Sequence, residues 1–447
     1  MISRISGIHR KAENIRNSFA PINKLPPEIL ALIATFFEPG RLLINATAVC
    51  RYWRTALLSF PRVWSRIACS NEKLFKTYLE RSKSVPLEVQ LPRSLSRPLA
   101  SLVPHTSRLV SLTVSVTGPS TFEQLAHHLI KPIPTLHEFS IFVCSGTGEL
   151  RIPSDISNDH FLHVEKLRLV QVSSLRAPGV FPRVTELEWT AKSRTFVPLL
   201  EMLVELPALE QVEIAFPGFY NPITRVHLVT LPNVQRMTLH CSDGKVPDFL
   251  EFLKLPSLTS LVIDGVQNLP QSFAILPDTP FAINLPNFAE LPEMTVATYL
   301  QPNRVSFRSS SQATLDFSIE PLSLGRRRYG NYRKIWGGLP VDSVRRLVVE
   351  TDTATAGAED GWVASLLRDL KSLEHLAFRS HCGRTPQYLR RMITEAASFP
   401  QMKSLTVYLG SKCEARQVHR LEDVVGGFGS GISVTWVKDS GVLGDEQ

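Results

Sequence analysis

Cysteine is scarce in this sequence, and none of the six stands in a CxxC pair. Cys50, Cys69, Cys144, Cys241, Cys382 and Cys413 are too scattered to offer the four-ligand spacing of a structural zinc site, so they read as reduced thiols filling a core. Long apolar runs are missing too. No stretch approaches about eighteen apolar residues free of charge and proline, so no membrane-spanning helix is expected. The first twenty residues, MISRISGIHRKAENIRNSFA, scatter charge throughout, and no secretory signal is expected there. The signatures of common catalytic sites are also lacking: GxSxG, a phosphate-binding P-loop, HExxH, and GxGxxG leading into a helix. The glycine-rich GGFGSGI near the C-terminus has neither the lysine nor the strand–helix setting of a phosphate cradle. No catalytic residue, metal or cofactor is expected, and the chain does not read as an enzyme.

What is present describes a folded chain: 43% hydrophobic and 20% charged residues over a length that suits two or three domains or one elongated array. Charge is distributed unevenly. Residues 1–100 hold 16 Lys and Arg against 6 Asp and Glu, a net +10, whereas the chain as a whole is only +8. A basic front joined to a near-neutral body points to an acidic partner for the front, with nucleic acid, an anionic membrane and an acidic protein all open.

The front also concentrates aromatic bulk. In VCRYWRTALLSFPRVW, residues 49–64, two tryptophans, a tyrosine and a phenylalanine sit among three arginines. Upstream, KLPPEILALIATFFEPG (24–40) predicts a helix opened by Pro26, Pro27 and Glu28 and stopped at Glu38-Pro39-Gly40. A second short helix is expected from Arg41. A third is expected to carry Val49, Cys50, Trp53, Ala56 and Leu57, ended by Pro61. Three such helices cannot bury enough surface alone, so the rest of the chain or another protein must cover their apolar excess.

Residues 24–67 resemble an F-box: an LPxE(I/L)L opening, an acidic-Pro/Gly stop, a Leu pair (Leu42, Leu43), Val-Cys-Arg-x-Trp, then Pro and Trp. Only Gly40-Arg41 departs from the common pattern, where an acidic or polar turn residue is frequent. The resemblance implies docking on the small acidic adaptor Skp1 within a cullin-RING ubiquitin ligase. Carried over by position, the contact residues would be Leu25, Pro26, Pro27, Ile29, Leu30, Ile33, Leu42, Leu43, Val49, Cys50 and Trp53. Some of the later ones would be shared with the module's own core. The segment LFKTYLERSKSVPLEVQL (74–91) reads as helix, basic turn and strand, and is similar to the segment just after the F-box in fungal F-box proteins.

Beyond residue 100 one template recurs, with apolar residues at offsets 0, 3, 6 and 8. It fits Leu206, Leu209, Val212 and Ile214; Leu231, Val234, Met237 and Leu239; and Leu255, Leu258, Leu261 and Ile263. Seven further matches start at Thr106, Ile133, Phe161, Phe181, Val341, Leu370 and Phe399, mostly 24–29 residues apart. The spacing resembles a leucine-rich repeat and implies a right-handed α/β solenoid, with parallel strands on its concave side. Helical patterns at 121–130, 195–206, 246–255 and 385–397 fill the intervals. The register is lost between Leu255 and Val341, where a proline-rich stretch reads as irregular loop and TLDFSIE (314–320) as one surviving strand.

The expected organisation is a flexible segment at 1–23, an F-box at 24–70, a connector at 71–100, repeats over 101–439 with an irregular insertion at 266–340, and a tail at 440–447. Alternation places Lys166, Arg168, Glu186, Glu188, Gln211, Glu213, Arg236, His240 and Asp264 on the concave face, a mixed-sign surface suited to a target protein. The basic cluster GRRRYGNYRK (325–334) supports nucleic-acid binding as a lesser alternative, and a scaffold acting without ubiquitination is another. The expected compartment is cytoplasm, nucleus or both.

Overall fold

The computed structural model describes residues 15–17, 19–68, 71–91, 100–128, 132–144, 149–152, 159–176, 179–192, 197–216, 228–241, 249–266, 285–288, 293–297, 303–308, 314–319, 341–351, 370–380, 401–409 and 432–438. It forms two compact units, Met1–Lys192 and Ser193–Gln447. Each combines helices with an open, mostly parallel sheet.

The first unit opens with α1 (Pro27–Thr35), α2 (Arg41–Val49) and α3 (Arg51–Ser59). Pro27 sits in the first turn of α1, where a missing N–H costs nothing, and Glu28 meets the positive end of its dipole. Val49 and Cys50, expected inside the third helix, fall elsewhere. Val49 closes α2, and Cys50 is extended (φ −157°, ψ 174°) between the two helices. The break lets Leu43 and Ala46 of α2 and Trp53, Ala56 and Leu57 of α3 share one core, which an unbroken helix would carry apart.

The chain then passes through a 3-10 turn at Pro61–Trp64 into β1 (Arg66–Ala68), α4 (Glu72–Arg81) and β2 (Leu87–Leu91), parallel to β1. Trp64 lies at this junction with no exposed surface. Its indole N–H donates to the Leu57 carbonyl (2.9 Å), and the Tyr78 ring meets it edge-on at 5.1 Å between centroids. The Arg81 guanidinium lies 4.4 Å from the Trp64 ring centre. Tyr78 reaches back to Gly40, donating its hydroxyl to the carbonyl (2.8 Å) and accepting from the N–H (2.9 Å). Gly40 has φ +129° and ψ −135°, a conformation open only to glycine, which accounts for the one departure from the motif's usual residues. Arg108 fixes the far end of α4, donating to the Leu79 and Val85 carbonyls and to the Ser82 hydroxyl.

The first unit's sheet continues with β3 (Leu109–Val116), which is followed by α5 (Pro119–His128), and then β4 (Glu138–Val143). β5 (Glu149–Arg151) and β7 (Ser174–Arg176) form a separate two-stranded ladder, while β6 (Lys166–Val172) and β8 (Glu186–Ala191) extend the main sheet. Leu112, Phe139, Leu167 and Leu187 stand in one register row and are buried. The Phe139 ring in this row stacks on Phe161, and both lie at a tilt to Phe181. Gln171 (φ +57°) is an extra residue in β6, since Val170 pairs with Thr190 and Val172 with Ala191; this is a bulge.

One backbone device accompanies the template in both units. The carbonyl just before a strand accepts two consecutive N–H groups from the start of the next. His137 O takes those of Glu165 and Lys166, Glu165 O those of Thr185 and Glu186, and Gln235 O those of Thr259 and Ser260. Backbone atoms entering the strand are thereby satisfied without an asparagine or cysteine ladder.

The second unit holds α6 (Val197–Val204), β9 (Gln211–Phe216), β10 (Val229–Thr230), β11 (Arg236–Cys241), β12 (Leu253–Lys254) and β13 (Ser260–Val266). The helix expected over 246–255 does not reach its end: Leu253–Lys254 is a short strand paired with β10. After it come β14 (Glu293–Ala297), β15 (Asn303–Arg308), β16 (Thr314–Ile319), β17 (Arg346–Thr351), β18 (His375–Ser380), β19 (Ser404–Leu409) and β20 (Ser433–Lys438).

The stretch expected to be irregular therefore contains three strands. The chain skips from β13 to β14, returns antiparallel as β15, and places β16 beside β13, giving the order β13-β16-β15-β14-β17. Leu285 and Phe288 are buried like the first two template positions, and Asn287 donates to the Pro256 and Leu258 carbonyls as Asn233 does to Pro207. Met294, the register partner of Leu347, comes three residues later than the template requires. In sequence Phe288, Leu291, Met294 and Val296 themselves fall at offsets 0, 3, 6 and 8, a match passed over in the proline-rich stretch.

Removing the Tyr78 hydroxyl strands both backbone groups of Gly40. Tyr78→Phe should lower the stability of the first unit by about 1–3 kcal/mol, and Gly40→Ala by a similar amount through backbone strain. Denaturant unfolding monitored by tryptophan fluorescence tests both; a wild-type transition for either would contradict the account.

Candidate functional site

The three N-terminal helices carry two apolar faces each. Their inner faces supply Leu30, Ala34, Leu43, Trp53, Ala56 and Leu57 to a filled core. Their outer faces leave Ile29, Leu32, Phe36, Leu42, Val49 and Leu58 exposed, with Phe36 at 82% and Val49 at 61%. Ile29, Leu32 and Phe36 follow each other at i, i+3 and i+7 along α1, so they line one stripe. A helix whose core-facing stripe is already used has no folding reason for a second one; such a patch marks an interaction surface. A cleft of about 460 Å³ opens beside it, with Leu32, Phe36, Phe37, Phe60 and Val63 in its wall.

The residues expected to make contacts divide three ways. Pro26, Ile29, Leu42 and Val49 are exposed; Leu25, Pro27, Ile33 and Cys50 are half-buried. Leu30, Leu43 and Trp53 face inward, which corrects their assignment to the contact surface. Trp53 is 8% exposed, and its indole N–H donates to Asn23 Oδ1 at 2.8 Å. Beside it the Tyr52 hydroxyl donates to the Leu25 carbonyl at 2.5 Å. Half-buried Tyr52 and buried Trp53 thus hold the segment around Asn23 and Leu25 in place. Sequence reasoning missed Leu32, Phe36 and Leu58. Their spacing from Ile29 and Arg54 would have found them, had a second stripe been sought.

Charge around the patch is lopsided. Lys24, Arg41, Arg51, Arg54, Arg62 and Arg66 are exposed, against Glu28 and Glu38. Arg54 Nε donates to the Thr47 carbonyl (2.9 Å) at the negative end of α2, and Arg66 pairs with Glu88 (3.5 Å).

On the outer face of the strands the expected positions alternate as read, and their charges are paired across neighbouring strands. Lys166 meets Glu186 at 3.4 Å and Arg168 meets Glu188 at 2.7 Å, with the Arg168 guanidinium 5.6 Å from the Phe142 ring centre. In the second unit His240 Nε2 lies 3.2 Å from Glu213, next to half-buried Gln211 and exposed Arg236. Asp264 pairs with His240 in register, and its side chain lies outside the described residues. Farther along, Lys403 hydrogen-bonds Glu374, which holds that carboxyl below its usual range. These are exposed pairs of small individual worth. Side by side they make the strand face nearly neutral.

His105 lies beside Arg108, and burial followed by that neighbouring charge pushes its imidazole below the usual range. Arg108 Nη2 lies 3.4 Å from its Nδ1. The segments 325–334, 385–397 and 426–431 lie outside the described residues. Among the described residues no cluster of three His, Cys, Asp or Glu side chains could hold a metal, and no helix is long and apolar enough to cross a membrane.

The inner and outer faces should separate in mutagenesis. Trp53→Ala should cost about 3–5 kcal/mol, whereas Ile29→Ala and Leu42→Ala should stay within roughly 0.5 kcal/mol. Equilibrium denaturation of the full chain measures both. Equal losses at all three positions would mean the outer stripe is part of the core.

Residues 22–70 match the F-box-like family model. No curated protein matches the chain. The chain therefore carries an F-box-like domain that spans all three helices and the turn after them, a kind of domain that commonly binds Skp1.

Proposed function

We propose that this chain is a substrate-recognition subunit of an SCF-type cullin-RING ubiquitin ligase. Its F-box-like domain docks on Skp1, and the repeats behind it, a right-handed leucine-rich-repeat-like solenoid, hold the target protein in the cytoplasm, the nucleus or both. The observation that carries the reading is the second apolar stripe. Ile29, Leu32, Phe36, Leu42, Val49 and Leu58 stay outside a core that is complete without them. A family match that ends where this module ends agrees with it.

The recurring parallel strands support the second half of the reading. Each adds a row of polar side chains to one face, and a face of cross-strand ion pairs suits a protein surface of matching mixed charge. Chemistry in such a complex is supplied elsewhere. This chain contributes proximity, which raises the effective concentration of target lysines near a ubiquitin-loaded enzyme.

Co-purification tests the docking. Wild-type chain should retain Skp1 and, through it, a cullin. Ile29→Asp with Leu42→Asp, which leave the core intact, should reduce Skp1 retention at least about a hundredfold, as expected when charge enters the centre of an apolar interface. Full retention by this variant would overturn the reading, and Skp1 retained without cullin would restrict the chain to a scaffold.

A further inference from the structure

Beyond the apolar stripe, the same surface carries a charge pattern that the docking reading does not use. Arg41 and Arg51 open α2 and α3, so each stands beside an outward apolar residue: Arg41 precedes Leu42, and Arg51 follows Val49 by two positions. Arg54 is drawn onto the last turn of α2 by its bond to Thr47, which sets it near Val49. Lys24 flanks the Leu25-Pro26 lead-in. Among the described residues no carboxylate pairs with Arg41 or Arg51, whereas Arg66 and the cations of the strand face have carboxylates opposite. Two arginines at helix N-termini face the positive end of each dipole, an arrangement unfavourable for folding. Such placement is retained at a cost to the free chain and is relieved when an anion arrives.

We infer that Arg41 and Arg51 steer the approach of the acidic partner, while the apolar stripe holds it once docked. The inference rests on the docking reading and adds the kinetic role of the charges. A phosphate polymer or anionic bilayer fits the surface less well. Glu28 lies on the same helix as Ile29 and Leu32, and Glu38 lies between α1 and α2, so both would face the polyanion. Six exposed apolar side chains contributed by three helices also call for a shaped, apolar protein surface.

The experiment is stopped-flow association of the full chain with purified Skp1 over a salt series. For the wild type the association rate constant should fall about tenfold between about 0.05 M and about 0.5 M salt, as charge steering is screened. Arg41→Glu with Arg51→Glu should start about tenfold slower, converge with the wild type at high salt, and leave the dissociation rate unchanged. Because a glutamate at a helix start favours the helix, this variant stays folded, and its thermal unfolding should match or exceed the wild type.

Salt-independent association with identical rates for both chains would overturn the steering role and leave Skp1 docking standing. Absence of Skp1 binding at every salt would overturn the docking reading and this inference with it. Tighter binding of the wild type to phosphatidylserine vesicles or a DNA duplex than to Skp1, abolished in the double variant, would also overturn the inference in favour of a polyanion.

Discussion

Burying one indole makes the rest of the molecule possible. Trp64 lies where the third helix, the turn after it, the first strand and α4 meet, and no part of it reaches solvent. Three helices of nine residues are too small to be stable by themselves. Trp64, with Tyr78 against it and Phe75 and Ile67 buried in the same unit, gives those helices the sheet as their second layer. Their own core no longer needs every apolar residue they carry. The outer stripe is therefore spare with respect to folding and is free to serve a partner. The inner part of the apolar excess is covered by the chain's own sheet, and the outer part stays exposed.

The sheet solves a different problem. Parallel strands bring identical backbone edges into line, and each strand entry leaves N–H groups that must find acceptors. Here the carbonyl preceding one strand receives two of them from the next, so the solution is carried by backbone geometry and is compatible with many side chains. Side chains at those positions are then free to vary, and in this chain they form ion pairs between adjacent strands. The pairs follow from register: Lys166 stands opposite Glu186, and Arg168 opposite Glu188.

Much of this was legible in the residues. The spacing Leu206, Leu209, Val212, Ile214 and its relatives marks buried rows, and the described members at the last two offsets are all buried. The F-box-like segment was readable from Leu-Pro-Pro-Glu and Val-Cys-Arg-x-Trp because both are local. What stayed hidden was three-dimensional in origin. The inward turn of Trp53 depends on Asn23, thirty residues away. Gly40 reads as a weak match to a motif until Tyr78 is brought against it from position 78. Cation–carboxylate pairing across strands requires register, which offsets within a single repeat do not reveal. The repeat leading into β14 was missed for a simpler reason: Phe288, Leu291, Met294 and Val296 keep the spacing, but the prolines around them read as loop.

The reversal at β14, β15 and β16 has a consequence for assembly. A plain succession of parallel strands can lengthen one element at a time, each new strand finding its edge already waiting. Here the edge that β17 needs belongs to β14, and β14 is tied to the earlier strands only through the antiparallel pair β15 and β16. Joining β13 to β16 spans a longer separation in sequence than the neighbouring repeats do, so its closure carries a larger entropic cost. The last four strands thus reach the earlier ones through a reversed block, so a change that loosens β15 would disconnect β17 to β20 from β13.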